Sequence, residues 1–107
     1  MPPQVNPDSK VLTLRLAGNL TSGNTASSQA IVSVAQSAAA PDRPWRDVVL
    51  DLTDAHMIDS AGLNLLVSVL KATLRIGGKM QVTYRDPNIQ RTLRFVGLDK
   101  RLEMVCV

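Results

Sequence analysis

The chain has little of what catalytic metal sites and extracellular domains are usually built from. Its 107 residues include one cysteine, one histidine and one each of Trp, Tyr and Phe. With Cys106 alone, neither an internal disulfide nor a thiolate cluster for zinc can form. With His56 alone, a metal site built on paired imidazoles is excluded, and a surface-loop histidine is the plain reading. Trp45, Tyr84 and Phe95 offer few platforms on which bases could stack. No apolar run approaches the roughly 20 residues of a membrane span. Met1-Pro2-Pro3-Gln4 lacks the charged and apolar regions of a signal peptide. The expectations are therefore a cytoplasmic protein without membrane insertion, cofactor or metal.

The net charge is +3 with a pI near 9.5. The cations run from Lys10 to Arg101 and are mixed with carboxylates such as Asp86 and Asp99, which suits a solvated surface better than a nucleic-acid footprint. No nucleic-acid partner is expected. Hydrophobic residues make up 45% of the chain, so a Leu, Val, Ile and Ala core is affordable within one domain, residues 1–107. Met1 to Ser9, rich in proline and polar groups, reads as an irregular or weakly paired opening segment.

The organising stretch is Val48 to Gly62. Val48-Val49-Leu50 and Leu52, broken only by Asp51, read as a short strand covered on both faces. Thr53 to His56 is a loop, Met57-Ile58 re-enters the core, and a helix begins at Asp59-Ser60, either of which can cap it. Before this, Val11 to Leu16 alternates as a strand with Leu12, Leu14 and Leu16 on one face. Gly18 to Gly23 breaks it. A weak helix from about Thr25 to Ala39 follows, with Ile31, Val34, Ala35 and Ala38 as its apolar side, and Pro41 to Pro44 ends it.

The strongest helix spans about Ser60 to Ile76. At roughly 100° per residue, Leu63, Leu66, Val67, Leu70 and Leu74 form one stripe. Leu65, Val69, Ala72 and Ile76 form a second apolar line, which packs on a neighbouring helix or receives a partner. Gly77-Gly78 stops the helix. Met80 to Tyr84 reads as a strand, Pro87 to Val96 as a helix closed by Gly97, and Leu102 to Val107 as a last strand. Strand–helix alternation of this kind predicts an α/β layer with a mainly parallel sheet.

Catalysis has little support. Asp51, Asp54 and Asp59 suggest a magnesium site, but that scheme needs carboxylates at the end of another strand, and the first strand ends Leu16-Ala17-Gly18. No glycine-rich phosphate loop with a lysine is present. A binding protein, not an enzyme, is expected. Ser60 at a helix start has two readings. One is a residue that satisfies helix amides. The other is a phosphorylation switch, since a phosphate adds about −1.5 to −2 charge that free amides and the helix dipole tolerate.

Val49-Leu50-Asp51-Leu52 with Ile58-Asp59-Ser60-Ala61-Gly62-Leu63 resembles the STAS domain family, of the anti-sigma factor antagonist type. Leu16-Ala17-Gly18-Asn19-Leu20, Ile76-Gly77-Gly78-Lys79-Met80, and Pro87 through Arg91, Leu93, Phe95, Gly97 and Leu98 match in the same order. The resemblance implies one domain with a four- to five-stranded sheet flanked by helices. It implies partner switching: the unmodified protein binds an anti-sigma factor of the GHKL kinase type, phosphorylation of Ser60 releases it, and a PP2C-type phosphatase removes the phosphate. Asp59 and Gly62 belong to the implied interface, Gly62 by allowing close approach, and Ala61, Asn64, Leu65, Thr21 and Val69 are the further partner-binding candidates. Thr21 stands where the family often has aspartate, and Ala61 where it often has a second serine. The chain stops at Val107, about where a C-terminal helix usually begins. Two other functions are open to such a domain: a constitutive docking subunit of a transporter ATPase for lipids or anions, and a small-molecule or lipid sensor.

Overall fold

The computed structural model describes the backbone of residues 4–6 and the full residues 10–37 and 45–107. Five strands form one sheet in the order β1 (Gln4–Asn6), β2 (Val11–Arg15), β3 (Asp47–Leu52), β4 (Met80–Tyr84) and β5 (Glu103–Cys106). β2 to β5 are parallel, and β1 pairs antiparallel with β2 at the edge. The opening segment thus contributes a short paired strand. Helices α1 (Thr25–Ser37), α2 (Ser60–Arg75) and α3 (Pro87–Phe95) make the crossovers, and a 3-10 turn (Leu98–Lys100) leads into β5. The expected end of the first helix, at Ala38 and Ala39, and the Pro41 to Pro44 stop lie outside the described residues.

Among the described residues the sheet is covered on one face only, which corrects the expectation for the central strand. Along β3 the residues alternate, with Val48, Leu50 and Leu52 fully buried and Asp47, Val49 and Asp51 half-buried. β2 and β4 alternate in the same phase: Leu12 and Leu14 point inward, as do Met80, Val82 and Tyr84. Three successive crossovers of one hand, always to the next strand, bring every helix to the same face. The other face presents Thr13, Arg15, Asp51, Gln81 and Thr83. Asp51, which interrupts the apolar run, was the residue that marked it.

The rotation of α2 also differs from the expected stripe. Its buried residues are Gly62, Leu66, Val69, Leu70 and Thr73, whereas Leu63 and Val67 are half-buried and Leu74 is 48% exposed. Val69 is 1% exposed and belongs to the core. The helix is apolar around more than half its circumference, so periodicity leaves its rotation loose. Packing of Gly62 against the β2–α1 loop sets it instead, as described below. At the far end Gly77 takes φ +79°, and the Gly77 and Gly78 amides bond the carbonyls of Leu74 (3.1 Å) and Thr73 (2.9 Å), a Schellman closure.

These burials separate two leucines that the sequence had placed on one stripe. Leu66→Ala should cost about 2–5 kcal/mol, the range for a buried leucine, while Leu74→Ala should stay within about 0.5 kcal/mol. Urea unfolding of both variants checks this, and equal losses would restore the original stripe.

Candidate functional site

The site lies where the β2–α1, β3–α2 and β4–α3 connections meet, beyond the carboxyl ends of the parallel strands. Such edges, with helix N-termini aimed at them, are where open α/β sheets commonly place ligands. The β2–α1 loop is held by Asn24, whose side-chain amide donates to the carbonyls of Ala17 (2.8 Å) and Asn19 (2.9 Å). Its Oδ1 accepts from the Ser27 amide at 3.4 Å, so Asn24 caps α1. Asn19 reaches across to accept from the His56 amide at 2.8 Å. Leu20 and Ile58 form a parallel bridge, in which the Leu20 amide donates to Met57 (3.1 Å) and the Asp59 amide to Leu20 (3.2 Å).

Asp59 is the N-cap of α2. One carboxylate oxygen accepts from the Gly62 amide at 2.8 Å, and the other accepts from the Ser22 amide at 2.9 Å. A single side chain therefore caps the helix and pins the neighbouring loop. These two amides, Ser22 first and Gly62 second, hold the Asp59 carboxyl below its ordinary value of 3.8. Of the two capping candidates, aspartate takes the task and serine is released from it. Ser60, the first residue of α2, is exposed, and its hydroxyl makes no hydrogen bond to the described residues.

The remaining candidates divide. Ala61 and Asn64 are exposed on the first turns of α2. Thr21 is half-buried beside Ser22, and its carbonyl accepts from the Asn24 amide at 3.0 Å. Leu65 is half-buried and lines a groove of about 250 Å³ between α1 and α2, with Ile31, Val32, Ala35 and Ser68. Two expectations need correction. Val69 is enclosed in the core, so a partner cannot reach it without unfolding α2. Gly62 is buried too, and the close approach it allows is internal: a Cβ there would collide with the backbone carbonyl of Leu20 and press on Ile58 Cγ2 at 3.1 Å.

Several features of the site differ from, or go beyond, the sequence reading. Of Met57-Ile58, expected to re-enter the core, only Ile58 does so; Met57 is 54% exposed in the loop just before Ser60. The His56 ring lies 2.8 Å from Asp86, the N-cap of α3, and so joins two loops. The Asn88 amide, and after it the His56 ring, hold the Asp86 carboxyl below its ordinary range. The signal for Asn24 was present, since asparagine directly before a helical stretch is a capping residue. Nothing in one sequence pairs Ser22 with Asp59 across 37 positions. Among the described residues no group of three His, Cys, Asp or Glu side chains is placed to hold a metal ion.

A parallel sheet covered by helices on one face, with a capped serine loop at its carboxyl edge, defines the architecture. The STAS domain family model matches residues 2–105, and the chain belongs to that family. Solved structures agree on the fold. A Thermotoga maritima protein described as a candidate anti-sigma factor antagonist superposes with a TM-score of 0.76 at 20% identity, covering 97% of this chain and 84% of that one. The Bacillus cell fate determinant SpoIIAA in its phosphorylated form gives 0.71 at 15% identity, over 98% and 90% of the two chains. A sulfate transporter family protein from Wolinella succinogenes gives 0.71 at 14% identity, over 92% and 79%.

The Asp59 bonds carry a pH dependence whose sign follows from the lowered pKa. The ionised form accepts both amides, so its contribution is complete above about pH 4 and is lost as pH falls through the depressed value of the folded state. Asp59→Asn should lower the melting temperature at neutral pH and flatten the decline of melting temperature below pH 4. Parallel acid-limb slopes for the variant and the wild type would remove Asp59 as the titrating bridge. Gly62→Ala should destabilise at every pH, because its Cβ meets backbone and not a movable side chain.

Proposed function

We propose that this protein is an anti-sigma factor antagonist that works by partner switching, with Ser60 as the phosphorylated residue. The observation that carries the reading is the free Ser60 hydroxyl at the positive end of a helix whose capping is done by Asp59. Unmodified, the edge offers a partner Met57, Ala61 and Asn64 around Ser60, an apolar and neutral patch bordered by the Asp59 carboxylate. The partner is an anti-sigma factor of the GHKL kinase type. It transfers the γ-phosphoryl group of ATP to Ser60 Oγ, which gives up its proton, and ADP leaves. The phosphoserine and ionised Asp59 then stand side by side with a combined charge of about −2.5 to −3. That charge and the added bulk expel the partner. The scaffold tolerates the change because no packed or hydrogen-bonded atom must move. A PP2C-type phosphatase restores the serine. The role is binding, not catalysis, and belongs in the cytoplasm with the transcription machinery. The phosphorylated form of SpoIIAA, which shares the fold, supports this reading.

A second reading is a constitutive docking subunit of a transporter ATPase. It is favoured by the α1–α2 groove, where Leu65 and the 38% exposed Val32 leave apolar surface, and by the likeness to a sulfate transporter family protein. Since Val69 is core, the residue that tests this surface is Leu65.

Ser60→Asp should weaken kinase binding at least tenfold, or about 1.4 kcal/mol, while moving the melting temperature by no more than a few degrees. Ser60→Ala should bind like the wild type and accept no phosphate. Calorimetry with the purified partner and phosphoprotein mass spectrometry read both outcomes. Binding that ignores Ser60→Asp but is lost in Leu65→Asp would favour the docking subunit.

A further inference from the structure

Sequence order scatters the cations, and topology gathers them. All four parallel strands start at the same edge of the sheet, opposite Ser60, and each start carries a cation: Lys10 before β2, Arg46 before β3, Lys79 before β4 and Arg101 before β5. Neighbouring strands are about 4.8 Å apart, so the four form a row on the order of 15 Å long. The Arg46 amide donates to the Lys10 carbonyl at 2.9 Å, and the Arg46 carbonyl packs against Gly78, so the row is continuous. All four side chains are exposed. Arg75 and Lys100 add to the edge, but they close helical turns, where positive charge offsets the carbonyl end. Arg101 also caps the 3-10 turn, so Lys10, Arg46 and Lys79 are the strand-start cations with no such task.

Among the described residues, the carboxylates at this edge are Asp47, Glu103 and Asp99, the last in the 3-10 turn beside Lys100. Asp47 is engaged, with Oδ1 accepting from the Lys79 amide at 2.9 Å and lying 3.5 Å from Arg46 Nε. Glu103 stands at the rim of a groove of about 290 Å³ walled by Lys79, Lys100 and Arg101. Its floor is Leu74, Met80 and Leu102, and Leu74 is half-exposed there. Among the described residues, Lys79, Lys100 and Arg101 form no ion pair. A flat lipid surface would leave this concavity unfilled, and no aromatic side chain lines it for a base to stack on.

We propose that this edge is a second docking surface, for an acidic protein segment that carries an apolar anchor. Carboxylates of the segment pair with Lys79, Lys100 and Arg101, and the anchor fills the groove over Leu74. Charge complementarity supplies the register and the apolar floor supplies burial. The surface stands apart from the Ser60 reading. The 16 residues of α2 span about 24 Å at 1.5 Å per residue, so two partners can be held at once.

Fluorescence anisotropy with a labelled Asp/Glu-rich peptide containing one central leucine tests the proposal on the whole chain. The wild type should bind, and its affinity should fall at least about tenfold between low and about 0.3 M salt. Reversing Lys79, Lys100 and Arg101 to Glu should abolish binding. Reversing Lys71, Arg91 and Arg94 to Glu, an equal change in net charge elsewhere, should reduce it far less. Leu74→Ser, which alters no charge, should weaken it about tenfold, and Ser60→Asp should leave it unchanged. Four results would overturn the proposal: no binding beyond that of a Gln-substituted peptide, equal loss in the two triple variants, indifference to Leu74→Ser, or capture by phosphatidylserine vesicles or DNA in place of the peptide. Melting curves run on each variant separate lost binding from lost fold.

Discussion

One carboxylate holds the carboxyl edge of the sheet together. Asp59 receives an amide from its own helix and another from a loop 37 residues earlier in the chain. The first bond starts α2, and the second fixes the loop that passes beside it. Around this pair, the Leu20–Ile58 bridge brings a backbone carbonyl so close to α2 that only glycine fits at position 62. Helix rotation, loop position and the exposure of Ser60 are therefore one arrangement. A serine at the N-cap would have its hydroxyl committed to a backbone amide. Moving the cap to aspartate leaves the next residue free for chemistry without loosening the helix start.

The one-sided sheet follows from the order of its strands. Each crossover moves to the next strand in the same direction, so none of the described helices is delivered to the far face. Parallel sheets are usually covered on both faces. Here the strands are short, and their uncovered positions carry mostly hydroxyl, amide and charged groups with Val49 and Val105 among them, and Gln81 donates to Thr83 along the surface at 3.3 Å. That composition can face water. The core is correspondingly a single layer of Leu, Val, Ile and Met between sheet and helices, with Trp45 and Tyr84 as its only aromatics.

Much of this was legible in the sequence. The alternation of Leu12, Leu14 and Leu16, the Pro87 and Gly97 limits of α3, and the double glycine after α2 each rest on local rules, and local rules hold where nothing long-range competes. The candidate residues at the start of α2, Asp59, Ser60, Ala61 and Asn64, lie in one short motif and stay together for that reason. The failures are all non-local. The rotation of α2 depends on a contact with a loop some forty residues upstream, so Val69 and Leu74 exchanged places. Whether β3 is covered on one face or two depends on where the crossovers go. The Ser22 amide and the His56–Asp86 contact depend on which loops the sheet brings together.

The same topology gives the molecule two unlike ends. Parallel strands with antiparallel helices put every helix N-terminus at the carboxyl edge and every helix C-terminus at the amino edge. At the first edge α2 and α3 are capped by Asp59 and Asp86, whose carboxyls are held ionised by backbone amides. At the second, cations close α2 and precede each parallel strand. Helix dipoles alone favour this sense of polarity but not its extent, since each acts within about one turn of its end. The cations before β2, β3 and β4 lie beyond that reach. A phosphate added at Ser60 would enlarge the negative end and leave the positive one unaltered, because about 24 Å is several screening lengths at physiological salt. A change of occupancy at one end is thus electrostatically silent at the other. On the two proposals made above, the domain would exchange one partner while keeping hold of a second.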